Sequence, residues 1–288
     1  MPRDLYQEVT DTIIAELEKG AAPWVRPWRS AGEHHNAITK RPYRGINALL
    51  LWIEAQNKGY QHTAWLTYKQ AKEAGGHVRK GEKSTLVVLW KPFDVTETDE
   101  ETGEEKTETR WILRAYNVFN VSQCDGLNHV VTEAEPPRPV ISDPEFEAWV
   151  ARTGAKVRHG ANEAYYAPAI DEIHMPHRHC FKGSEHYAAT LLHELGHWTG
   201  HESRLNRQFS KRFGDHAYAA EELVAELTAA YLCADIGING DLRHAGYINH
   251  WLKLLRNDKR AIFTAASQAQ KAADYLKSAA DAKEGLAA

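Results

Sequence analysis

The stretch Leu191-Leu192-His193-Glu194-Leu195-Gly196-His197-Trp198-Thr199-Gly200 places two histidines four residues apart among leucines. Leu191, Leu192 and Leu195 suit a partly buried helix, predicted over 185–200, so both imidazoles leave one face and can bind the same zinc ion. Glu194 points beside them. A carboxylate there can take a proton from metal-bound water, whose pKa the ion lowers towards neutrality, and pass it to a leaving amine. These residues predict a peptidase-type metal site with Glu194 as general base.

A third ligand is required. His201 continues the four-residue spacing, but on a straight helix it lies about 12 Å from His193 and reaches the same ion only if Gly200 breaks the helix. A second helix, predicted over 218–236, carries Glu221, Glu222 and Glu226. Glu222 and Glu226 share a face, while Leu223 and Leu227 turn to the core. This resembles the gluzincin arrangement, in which a Glu on a following helix is the third ligand and an acid four residues later supports a ligand histidine. The resemblance implies Glu222 as the ligand and Glu226 as the acid that fixes a histidine tautomer. Glu221 and Glu226 stay open as alternative ligands. Tyr218, one turn before Glu222, is a candidate oxyanion donor, and the extended segment ending at Met175 is expected to hold a peptide by main-chain pairing.

Outward from this site, the rest of the second half reads as a short helix over 145–153, extended segments over 165–176, a helix over 244–257 and an Ala-rich helical tail from Lys259. The proline-bearing run Glu133-Ala-Glu-Pro-Pro-Arg-Pro-Val-Ile-Ser-Asp-Pro144 reads as a linker. Domains are therefore expected at 1–132 and 145–288, joined by 133–144, in a chain of α+β class: a mixed first domain and a mainly helical second one with a small sheet. In the first half, helices are predicted over 4–18, over 47–57 closed by Gly59, and over 67–74 closed by Gly75-Gly76. The runs 85–93 and 110–121, rich in β-branched and aromatic residues, predict two paired strands. The acidic block between them predicts a solvated hairpin loop over about 96–109.

No apolar run approaches the roughly 18 residues of a membrane span, and Met1-Pro-Arg-Asp-Leu-Tyr6 lacks the apolar core of a signal peptide. A cytoplasmic chain with no membrane partner is expected. Three widely spaced cysteines, Cys124, Cys180 and Cys233, suggest reduced and mostly buried thiols rather than a disulfide framework. The net charge of −4 argues against a generic polyanion binder, yet the first half without its acidic block is basic. There, Trp24, Arg26, Trp28 and Arg29, then Lys40, Arg41, Tyr43, Arg44 and Asn47, then Arg79, Lys80 and Lys83 interleave flat rings with cations. Single-stranded nucleic acid is held in this way, with rings stacking on unpaired bases and cations following the phosphates.

The string Pro23-Trp24…Pro27-Trp28, Asn36…Thr39…Arg41-Pro-Tyr-Arg-Gly-Ile-Asn47, Trp65-Leu-Thr67…Gln70-Ala71, Gly81-Glu-Lys83 and Val118-Phe-Asn-Val121 closely resembles the N-terminal domain of the ArdC family of antirestriction proteins. The second half resembles the zincin-like metallopeptidase domain of that family, through His193-Glu-Leu-Gly-His-Trp-Thr-Gly-His201 and Glu221-Glu-Leu-Val-Ala-Glu226. The resemblance covers nearly the whole chain. It implies a plasmid-encoded bacterial protein that binds single-stranded DNA, shields incoming DNA from host restriction enzymes and carries a zinc site, with Mn2+ as an alternative ion. The restriction enzyme or another protein would be the peptidase substrate. A similar domain also opens plasmid primases of the TraC type, which makes a role as a replication or primase accessory protein an alternative; a purely structural metal with protection by occlusion is another.

Overall fold

Local signals start and stop the helices. In the computed structural model, Asp4 accepts from the Gln7 amide and starts α1 (Leu5–Leu17). Two short strands and a helix follow: β1 (His35–Asn36), α2 (Ile46–Lys58) and β2 (Ala64–Leu66). Gly59 closes α2 at φ +69°, in the left-handed region that favours glycine because it has no Cβ. Thr67 and Gln70 form a reciprocal cap on α3 (Tyr68–Glu73). Next come β3 (His77–Val78), β4 (Thr85–Thr98), β5 (Glu105–Asn120) and β6 (Cys124–Asp125). The second half contains α4 (Asp143–Thr153), β7 (Lys156–His159), β8 (Tyr165–Ala167), β9 (Glu172–Met175), α5 (Ser184–Trp198), α6 (Ser210–Phe213), α7 (Ala217–Ile236), α8 (Ile248–Asn257) and α9 (Ala261–Glu284). The structure describes residues 3–20, 22–24, 33–98, 105–130, 141–238 and 246–284.

The fold is α+β in two domains. The first has a four-stranded sheet in the order β1-β2-β5-β4, and the second a three-stranded sheet in the order β7-β9-β8. β4 and β5 pair antiparallel from Thr85↔Val118 as far as Thr98↔Glu105. The loop expected over about 96–109 is thus mostly paired strand. Val95, Thr96, Thr107 and Thr109 prefer extended backbone, and Thr96 meets Thr107 across the ladder at 3.2 Å. Residues 133–140 of the proline-bearing linker lie outside the described residues.

α7 is buried almost all round from Ala219 to Cys233, so it is the central helix. The largest apolar cluster gathers around it and crosses between the halves. Ile13 and Leu17 of α1 and Trp52 and Ile53 of α2 belong to the same core as Leu192, Leu227, Trp251 and Leu276. Polar contacts reinforce this seam: Thr10 donates to the Lys259 carbonyl at 2.7 Å, and Arg256 meets Glu18 at 2.6 Å. Among the described residues, no helix is long and apolar enough to cross a membrane. The cysteines are unpaired, but only Cys233 is buried; Cys180 is exposed, which corrects the expectation of mostly buried thiols.

Candidate metal centre

Gly196 sets the distance between α5 and α7. A Cβ built there would stand 2.9 Å from Ala225 Cα, so the helices approach to backbone contact at this point. That approach turns His193 and His197 towards Glu222. Their Nε2 atoms are 3.1 Å apart, and the Glu222 carboxylate spans them, with Oε2 3.5 Å from His193 Nε2 and Oε1 3.5 Å from His197 Nε2. Tetrahedral ligands about 2.0–2.2 Å from a zinc ion stand roughly 3.4 Å from one another, so the three donors fit a single small divalent cation. Among the described residues, they form the one group of three or more donors that can do so. His201 is outside that group, its Nδ1 bonded to Ser203 Oγ at 2.8 Å.

Each histidine has its own carboxylate behind it. Glu226 faces His193 Nδ1 at 3.4 Å, and Glu221 faces His197 Nδ1 at 3.3 Å. Glu221 is fixed by the buried Arg207, whose guanidinium grips both its oxygens and also donates to Thr199 Oγ1 and the Gly196 carbonyl. Glu221 is therefore placed behind a histidine rather than in the ligand triangle. Burial opposes the charge on His193, but Glu226, Glu222 and Glu194 outweigh it and push the ring up to about 9. Burial likewise works against Glu221, yet His197 and Arg207 hold it down to about 2. Glu222 is lowered despite its burial by the two histidines. Glu194 moves the other way: burial raises it, with both histidines pulling against the shift.

The triangle opens into a cleft of about 680 Å³ lined by Tyr165, Tyr166, His201, Phe209, Tyr218 and Tyr247 among others. Tyr218 is exposed, and its hydroxyl meets that of Tyr247 at 3.1 Å. Partial desolvation at the cleft wall, with the Tyr247 hydroxyl and Glu222 beside it, raises the Tyr218 pKa, so the phenol keeps its proton. The strand predicted to hold a peptide needs correction. β9, which ends at Met175, is the middle strand of its sheet and has both edges occupied; β8 is the edge strand lining the cleft. The turn between them is pinned by Arg204, which bonds Asp171 at 2.5 Å and the Tyr166 hydroxyl at 3.1 Å, and lies 3.9 Å over the Trp198 ring. Sequence reasoning missed Arg204, Arg207 and Tyr247, and it assigned Glu221 no supporting role.

Comparison with known proteins follows the same division. A family model described as the N-terminal domain of anti-restriction factor ArdC matches residues 3–119, and one described as a zincin-like metallopeptidase matches 144–268. The metal-free crystal structure of the antirestriction protein ArdC from plasmid R388 is 46% identical, covers 97% of this chain and 98% of its own, and superposes with a TM-score of 0.81. The chain belongs to the ArdC antirestriction family. The Mn(II)-bound structure of the R388 protein is 43% identical, with a TM-score of 0.78 over 96% of this chain and 98% of its own. An uncharacterized protein, y4eC, of Sinorhizobium fredii is 42% identical across 96% of this chain and 92% of its own length. DNA primase TraC of Escherichia coli is 37% identical over 95% of this chain, which corresponds to 27% of that protein.

In this ArdC-family chain, several residues predicted to meet DNA are engaged elsewhere. Trp24 is 1% exposed, with its ring 5.5 Å from that of Trp251, so it is a core side chain and no stacking platform. Asn47 accepts from the Val88 amide and donates to the Val88 carbonyl, clamping α2 to β4. Arg44 is paired with Asp274 of α9. Arg79 is shared among Asp125, Glu82 and the Ser122 carbonyl. Tyr43 is half-buried against the Trp65 cluster, while Lys40, Arg41, Lys80 and Lys83 are exposed. Arg26, Trp28 and Arg29 lie outside the described residues.

Proposed function

We propose that this chain is a single-stranded-DNA-binding antirestriction protein, plasmid-borne and active in conjugation, whose second domain is a zinc- or manganese-dependent peptidase. The observation that carries the peptidase reading is the His193, His197 and Glu222 triangle on the wall of a cleft, with Glu194 beside it. Three protein donors are the number that catalytic zinc sites use, whereas structural sites are closed by four. The R388 relative, whose solved structure holds Mn(II), supports manganese as the ion, while zinc rests on the donor set alone.

A bound ion would supply a Lewis acid and lower the pKa of its water. The chain's own groups do the rest. Glu194, raised by burial, is suited to take a proton and hand it to the leaving amine. Tyr218 keeps its phenolic proton and can donate it in a hydrogen bond to a developing oxyanion. The free edge of β8 offers main-chain groups to an extended peptide. The similarity to ArdC supports DNA binding in the first domain and a role in shielding incoming DNA.

Glu194→Gln tests this reading. The variant is expected to keep its metal and its affinity for single strands while losing proteolysis of the restriction components present during transfer. Loss of metal from this variant would show that Glu194 is a ligand, and unchanged proteolysis would remove it as the base. If protection in conjugation survives with proteolysis gone, the occlusion reading replaces the peptidase one.

A further inference from the structure

Among the described residues predicted to meet DNA, Trp24 is in the core and Tyr43 half-buried, so the exposed cations Lys40, Arg41, Lys80 and Lys83 have no exposed ring of that set beside them. The β4–β5 hairpin supplies one. Residues directly opposite on antiparallel strands share a face, and successive rungs on that face are about 7 Å apart. One face runs Leu89↔Arg114, Lys91↔Ile112, Phe93↔Arg110, so three rungs in a row each pair a cation with an apolar or aromatic side chain. Leu89 is 51% exposed, Phe93 44% and Ile112 41%. The rung before them, Val87↔Tyr116, closes the patch on its inner side: Val87 is buried, and Tyr116 is half-buried against the Trp65 cluster with Lys91 5.7 Å over its ring.

The opposite face is different. Val88 and Leu113 pack with Val9, Leu50 and Phe263, and Trp90 lies 5.9 Å from Tyr6, so that face turns towards the body. Its outer part is open too, with Trp90 45% and Trp111 61% exposed, but no rung of that face from Val88↔Ala115 to Asp94↔Thr109 carries a cation, so the cations are confined to the first face. Beyond Phe93 the next rung is Val95↔Glu108, and Glu108 already holds Arg110 at 3.1 Å. Acid thus bounds the patch on its outer side.

Resting on the DNA-binding reading above, we infer that this hairpin face is the surface on which single-stranded DNA lies, with a base on Phe93 and phosphates on Lys91 and Arg114. Cations set beside an exposed ring and apolar side chains suit an unpaired strand: every base has a face to stack, and each phosphate needs a positive charge within reach. A purely apolar partner would leave Lys91 and Arg114 unmatched. The strand crosses the root of the hairpin, because the acidic outer part repels it.

The test is anisotropy titration of a fluorescein-labelled oligothymidylate with the full-length protein across a salt series. Lys91→Glu with Arg114→Glu should weaken binding by more than tenfold and reduce the log–log salt slope by about 1.4, two phosphate contacts at roughly 0.7 each. Phe93→Ala should weaken it about ten- to a hundredfold, the size of one lost stack, and Phe93→Tyr should restore it. All these side chains are exposed, so circular dichroism and metal affinity should match the wild type. Lys156→Glu with Lys182→Glu, two exposed cations of the second domain, serves as a surface control of equal charge and should lose far less. Failure of the wild type to bind the oligonucleotide would sink the DNA-binding reading itself. Wild-type binding with hairpin variants of unchanged affinity would overturn this inference alone, and would hand the face to a protein partner.

Discussion

His34 Nδ1 accepts the Trp65 indole N–H at 2.7 Å, a bond that only the unprotonated nitrogen can make. The ring is 2% exposed, and burial, with His35 adjacent, lowers its pKa to about 3. In the unfolded chain the ring would titrate near 6.5. Between those values the unfolded state binds the extra proton, so stability contributed by neutral His34 is full above about pH 6.5 and falls steadily as pH drops towards 3. Unfolding free energy measured from pH 7 to pH 4 should therefore decline less steeply in His34→Gln than in the wild type, by one proton's slope. Parallel curves would show that His34 does not stay neutral in the fold. Arg207 offers a second test at this scale. Arg207→Gln frees Glu221 and, through it, His197, so affinity for Zn2+ or Mn2+ should fall about ten- to a hundredfold by competition with a chelating dye. Arg207→Lys should recover only part of this, because an ammonium cannot grip both oxygens. Wild-type affinity in Arg207→Gln would mean that Glu221 does not orient His197. The histidine pair and its glutamate were legible in the sequence because helix spacing is local. Arg207 was not, since its contact with Glu221 depends on how the loop after α5 turns back. Trp24 was misread for a related reason: composition says that a ring and cations are adjacent in the chain, but not whether the ring points inward.

At the level of elements, the close crossing of α5 and α7 explains the glycine inside the metal motif. Glycine costs a helix interior about 1 kcal/mol relative to alanine. Here it is retained because any Cβ meets the Ala225 backbone, which is no flexible side-chain end. Gly196→Ala should force α7 away from α5, destabilise the fold by about 1–3 kcal/mol before the propensity gain is subtracted, and pull Glu222 from the histidines. Urea unfolding would read the first effect and metal titration the second; a variant as stable and as tightly metal-bound as the wild type would refute the crossing. The long helices were readable from their apolar spacing. Strands of two to four residues such as β1, β3 and β7 were not, because they are too short for a period to show and exist only by pairing with distant partners. The same limit misplaced the free edge. Only the sheet order reveals that β8, and not β9, faces the cleft unpaired.

For the whole molecule, the linear division into two domains does not separate two cores. α1 and α2 bury Ile13, Leu17, Trp52 and Ile53 in the cluster built around α7, while α7 also carries Glu222. A ligand bound only by the folded state stabilises that state by RT ln(1 + [L]/Kd), about 2.7 kcal/mol at a hundredfold excess over Kd. Because α7 lies in the shared core, that stabilisation should reach the first domain. Adding Zn2+ or Mn2+ to the metal-free protein should raise the thermal midpoint reported by hydrogen exchange in α2 and β4 together with that in α5 and α7. The Glu222→Ala protein should show neither shift. If the two halves instead melted apart, with metal moving only the second, the shared apolar seam would be too weak to couple them. The metal site would then sit on a domain that unfolds independently of the first.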